Sequence, residues 1–298
     1  MLRTVLVVRN AFRGILHARS MYLWIIAVLV VGIRLAPQII FRDTQMNIAA
    51  FGNRRPPPTG LSAEDLAKYQ EIQKKEQEVQ IQRMQEAFRR SRPGALAGGL
   101  STWSTLAIFF AILLGSYALA SEVQAKTVIT VLARPISRWE LLFGKWLAIQ
   151  IFGVLSLIVG VAIHFAVGWY LSVTFSSILW LALLDAMVAI MLYSALAIAL
   201  GTLMGPLVAA GLSAVVYLLA GFINFIIDAK TQWVHLLGTV LDWIIPPGMK
   251  SVFAQSVDAT LALDRSALSK TLLENLLYCA IFFVLACVIF SRREVRLG

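Results

Sequence analysis

The sequence predicts an all-α polytopic membrane protein with six transmembrane helices, an N-terminal interfacial amphipathic helix, and a long polar helix inserted between spans one and two. Three observations predict it. The 298 residues are 59% hydrophobic and 14% charged, with mean hydropathy +0.78, whereas soluble chains carry about 25% charged residues. Six apolar stretches, residues 21–41, 101–121, 146–171, 178–203, 207–227 and 272–290, reach the roughly 20 residues that cross about 30 Å of hydrocarbon. Finally, the basic excess of 26 Lys+Arg over 16 Asp+Glu, net +10, is distributed between alternate loops as an orientation bias.

The segments that fall on one side are the leader 1–20, the segment 122–145 and the tail 291–298, which carry +4, +2 and +2. On the other side, 172–177 is uncharged and 228–270 balances four acids with four bases. The remaining loop, 42–100, has ten bases and seven acids, but at 59 residues it approaches the length at which loop charge stops setting orientation. Both termini are therefore expected in the cytoplasm. The charge then needs no nucleic-acid partner; its partner is the lipid bilayer.

The leader places Arg9, Arg13 and His17 at four-residue intervals, with Leu6, Phe12, Ile15 and Leu16 as apolar surface. This suits a helix lying along the inner leaflet among anionic headgroups, or a basic cytoplasmic tail. No small-x-small cleavage pattern follows span one around Leu35-Ala36-Pro37-Gln38, so that span is expected to remain as an anchor. In the 42–100 insert, Pro56, Pro57 and Pro58 make a stiff spacer. Ser62 and Asp65 then offer a capping box for a polar helix over about 62–91, with Pro93 beyond its end. Its apolar residues Leu66, Tyr69, Ile72, Val79, Met84 and Phe88 form a thin stripe. Such a helix either pairs with a second helix or an extracytoplasmic partner, or stands solvated.

The segment 122–145 is the most informative. The chain leaves span two through Glu122 and Lys126, breaks at Pro135 after Arg134, and restarts a helix with Ser137 and Glu140 as a capping box, followed by Arg138 and Lys145. A helix, a kink and a second helix with alternating charged and apolar residues suit docking into another protein's groove. Between spans five and six, Trp233 to Ile245 ahead of Pro246 and Pro247 has tryptophans near both ends and Asp242 inside, and could not span on its own.

The motif Glu122, Thr127, Leu132, Arg134, Pro135, Ile136, Ser137, Arg138, Glu140, Gly144 and Lys145 resembles that of the membrane subunits, or permeases, of ABC-2 type transporters, including the NosY-like branch. The leader, six spans and long region between spans five and six agree with the resemblance, and Trp233 to Ile245 resembles the family's short re-entrant helices near the outer leaflet. Lys126, where a glycine is common, and the length of the 42–100 insert depart from it. The resemblance implies a permease subunit in a bacterial cytoplasmic (inner) membrane, mostly an exporter in this family. It also implies a second permease copy, in a homo- or heterodimer, and a separate ABC ATPase subunit pressing on Glu122 to Lys145 as a coupling helix. The chain itself lacks Gly-x-x-x-x-Gly-Lys-Ser/Thr, since Gly144-Lys145 is followed by Trp146; no nucleotide cofactor is expected here, and ATP-Mg belongs to the partner ATPase.

Ionisable groups inside spans are costly and therefore candidates for function. Arg34, His164 and Asp185 all fall about 10 Å below the outer surface at 1.5 Å per residue, so Asp185 is expected to meet Arg34, His164 or a partner subunit. The bland alternative has Arg34 snorkelling outward and His164 packed. His17, His164 and His235 are too scattered for a metal site, and Cys279 and Cys287 read as packing residues. The competing function classes are a membrane scaffold recruiting partners through its polar helix, and an intramembrane lipid-modifying enzyme. The latter is disfavoured because the spans hold only Asp185 and Glu274 as acids.

Overall fold

The computed structural model describes residues 2–17, 20–43, 63–124, 137–228, 231–247, 252–257 and 263–292. Every regular element among them is an α-helix: α1 (Leu2–His17), α2 (Ser20–Asp43), α3 (Ala63–Gln124), α4 (Arg138–Tyr170), α5 (Ile178–Leu203), α6 (Pro206–Ile227), α7 (Gln232–Ile244), α8 (Phe253–Val257) and α9 (Arg265–Arg292). Five helical stretches among the described residues are long and apolar enough to cross a membrane: Arg89–Ala118, Arg138–Tyr170, Ile178–Leu203, Pro206–Ile223 and Arg265–Arg292. The expected first span lies in α2, which carries a shorter apolar run, Trp24–Ile33. The chain is an integral membrane protein, and exposed Ile158, Phe225 and Ile281 give its outward faces the apolar surface that lipid requires.

The bundle is built around α5. Its sequence is apolar on every side, as in a helix enclosed by others, and its alanines 182, 186, 189, 195, 197 and 199 are all buried. Small residues let neighbouring backbones approach closely, which is how helices gain packing energy without a hydrophobic driving force between them. The α3–α5 contact uses this fully. A Cβ added at Gly115 of α3 would lie 2.9 Å from the Ser194 carbonyl oxygen, and one added at Gly201 of α5 would lie 2.8 Å from the Ser116 carbonyl oxygen. Gly205, by contrast, has open space around it and simply makes the turn into Pro206. Around this pair, Trp24 of α2 donates to Ser156 Oγ of α4 at 3.2 Å. Trp103 of α3 donates to the Ser156 carbonyl at 2.7 Å, and the two indoles meet edge to face at 5.8 Å.

One element differs from the expectation. The polar helix and span two, anticipated as 62–91 and 101–121, form one continuous helix of 62 residues that passes through Pro93. Proline withholds only one amide, orphaning the carbonyl four residues earlier. That residue, Arg89, is exposed, and close packing starts only at Leu96, so water can satisfy the carbonyl while lipid and core begin a turn later. The polar half is exposed or half-buried at every described position from Lys68 to Ser91, and the pairs Glu71–Lys75 (2.8 Å) and Glu86–Arg90 (4.0 Å) brace it. The cap expected at Ser62 and Asp65 and the proline spacer lie outside the described residues.

The short helix between spans five and six is α7. Gly238 brings it onto the end of α6, where an added Cβ would lie 2.9 Å from the Ile227 amide, and His235 Nδ1 sits 2.6 Å from the Ile227 carbonyl. Beyond it, buried Phe253 seats α8, and the Ser256 carbonyl accepts from the Ser176 amide at 2.8 Å, tying α8 to the α4–α5 turn.

Replacing Gly115 or Gly201 by alanine should lower stability by about 1–3 kcal/mol, read as a lower thermal midpoint in detergent. Gly205→Ala should leave it unchanged; equal effects at all three positions would contradict the backbone contact.

Candidate functional site

At the end of the bundle where α1, α4 and α9 converge with the last turns of α3, the start of α4 contacts all three of the other helices. Ser137 is extended (φ −70°, ψ 150°), as an N-cap residue must be. Glu140 accepts from both its amide (2.9 Å) and its hydroxyl (2.7 Å), so the acidic arm of the expected capping box is present. Arg138 does not face outward. Its Nη1 donates to the Phe290 and Ser291 carbonyls at 3.1 and 2.9 Å, placing a cation on the final carbonyls of α9. Lys145 is buried and its Nζ donates to the Ala118 carbonyl in α3.

Gly144 lies against α1: an added Cβ would come 2.6 Å from Val7 Cγ1. The half-buried residues of α1 (Thr4, Val7, Val8, Ala11, Phe12 and Ile15) recur at helical spacing, while Arg9 and Arg13 are exposed. The leader is thus a packed part of the bundle, with its charged face outward. An aromatic stripe completes the junction. Phe143 stands 6.5 Å from Trp139, 6.0 Å from Trp146 and 6.0 Å from Phe283 of α9, and Trp146 stands 5.2 Å from Phe283. The spacing 139, 143, 146 marks one helical face; that signal was legible in the sequence but stood behind the charges. Glu122 lies in the final turn of α3, and nothing is described of its side chain. Lys126, Arg134 and Pro135 lie outside the described residues.

Of the intramembrane trio, His164 does not pair with Asp185 as their depth suggested, and the pairing of Asp185 with Arg34 lies outside the described residues. His164 is fully buried; its Nδ1 sits 2.7 Å from the Gly160 carbonyl of its own helix. Its Nε2 points at Gly99 of α3, where an added Cβ would lie 2.5 Å away, so neither nitrogen engages Asp185. Arg34 belongs to α2, its side chain outside the described residues. Asp185 is also buried, as is Tyr193, one member of a polar string that the sequence reading missed. Tyr193 meets Tyr217 of α6 edge to face at 5.0 Å, and the Tyr217 hydroxyl donates to Thr105 of α3 at 3.2 Å. Cys279 is buried and Cys287 half-buried, both as free thiols.

Removing the Glu140 carboxylate by Glu140→Ala should cost about 1 kcal/mol of stability, with Ser137→Ala adding little on top because the two act as one cap. Additive losses in thermal unfolding would show that they do not.

The sequence profile of a family described as ABC-2 family transporter protein matches residues 7–295, nearly the whole chain. Among curated proteins, none matches. With its apolar membrane-length helices, the chain belongs to the ABC-2 family of transporter proteins and is a permease subunit of an ABC transporter.

Proposed function

We propose that the chain couples ATP hydrolysis in a separate ABC ATPase subunit to export of a substrate across a bacterial cytoplasmic membrane, with both termini cytoplasmic and a second permease copy completing the channel. The observation that carries this reading is the anchored start of α4. The Ser137–Glu140 cap, the Arg138 contacts with α9 and the Lys145 contact with α3 make a stiff base under the stretch from Glu122 to Lys145. That stretch has the sequence expected of a coupling helix. A docking element transmits force only if its base does not yield, and this base is bonded to two other helices.

The charge distribution supports the orientation, since the leader, the 122–145 segment and the tail together hold +8 of the net +10. In that orientation the polar half of α3 projects about 45 Å outside the membrane, at 1.5 Å per residue over some 30 residues. Its exposed Ile72 and Val79 then offer a surface to an extracytoplasmic partner, the feature that also favours the scaffold reading. ATP-Mg is bound by the ATPase subunit in this proposal, and this chain contributes no cofactor site.

A native pull-down of the tagged chain separates these readings. A soluble ATPase should co-purify, and Arg134→Glu should abolish its capture while the permease keeps its helical content. Capture of no ATPase, or capture indifferent to Arg134→Glu, would overturn the coupling role.

A further inference from the structure

Arg138 and Lys145 both belong to the segment expected to face the ATPase, yet both side chains bond backbone carbonyls of other helices. The last carbonyls of a helix have no partner within it and carry its negative dipole end. Arg138, the first residue of α4, bonds two of them at the end of α9, and so joins the beginning of one helix to the end of another. Lys145 lies two turns further into α4. An ammonium is an expensive side chain to bury in a span, where a leucine or methionine would pack at no electrostatic cost. Its bond to Ala118 closes the base of the stretch 119–144, so α3 and α4 are clasped where the coupling segment leaves one and enters the other.

We infer that Arg138 and Lys145 are positioning residues that make α3, α4 and α9 respond as one body to movement of the coupling segment. The inference rests on the coupling role proposed above. A push on an unclasped loop would spread α3 from α4 and dissipate at the membrane surface. With Lys145 in place the spread is resisted and the displacement passes into both helices. Arg138 carries it on to α9, helped by the Phe143, Trp146 and Phe283 cluster. Coupling between sites is carried by such chains of packed side chains and hydrogen bonds.

The test uses the full permease–ATPase complex, with Cys279 and Cys287 replaced by alanine and spin labels at positions 139 and 292, both exposed. The wild-type distance between labels should be the same without nucleotide and with ATP trapped. Arg138→Ala should make that distance nucleotide-dependent and lower the ATPase rate of the complex about tenfold, with ATPase capture undiminished. Arg138→Lys, which keeps the charge but not the planar geometry, should fall between. Lys145→Met, similar in volume, should lower the ATPase rate in the same way. If Arg138→Ala does not fold, Arg138→Lys and Lys145→Met carry the test. A wild-type distance that changes with nucleotide, or folded variants with undiminished rates, would overturn the tie while leaving the coupling role standing. Loss of ATPase capture in the wild type would instead remove the coupling role itself.

Discussion

The backbones of α3 and α5 touch where Gly115 and Gly201 leave room for each other's carbonyls, and the rest of the bundle is arranged by that approach. Because α3 comes so near, α5 is enclosed and must be apolar on all sides, and its few polar groups must find partners inside protein. Gln150 of α4 supplies one, donating to Ser194 at 2.8 Å. Tyr193 packs against Tyr217, which bonds Thr105 back on α3. The same approach fixes the end of α3 beside the third turn of α4, within reach of the Lys145 ammonium.

From there a load path can be followed through named atoms. The start of α4 is capped by Glu140, bonded to α9 by Arg138 and to α3 by Lys145, and pressed by Val7 of α1 at Gly144. The proposed coupling role needs rigidity at this point and freedom elsewhere. The protein meets the first need with charge-assisted bonds to backbone carbonyls of neighbouring helices, which are stronger than neutral ones. The polar half of α3 is the opposite case, a long lever held by i,i+4 pairs and with little described packing.

Features governed by local pattern were legible in the sequence. Five of the six expected spans, the cap at Ser137 and Glu140 and the short helix ending near Ile245 each follow from local sequence pattern. What was not legible depends on rotation about helix axes. Counting residues gave Arg34, His164 and Asp185 a common depth, but depth does not say which neighbour a side chain faces, and His164 turns to Gly99 of α3. Arg138 and Lys145 were read only as members of a docking segment, and the carbonyls that hold them lie far away in sequence. The leader's arginines were rightly placed on one face, but its apolar stripe packs on α4, a use that periodicity alone cannot distinguish from lipid contact. Pro93 was read as a stop because proline usually is one; its harmlessness follows from an exposed Arg89 turn.

The most direct measurement is a cryo-electron microscopy structure of the native complex with ATP trapped. The account predicts the ATPase seated on the stretch between Gln124 and Ser137, with Arg138 still bonded to the carbonyls of Phe290 and Ser291 and Lys145 to that of Ala118. An ATPase seated on any other surface, or those bonds broken while α9 still moves with α4, would contradict it.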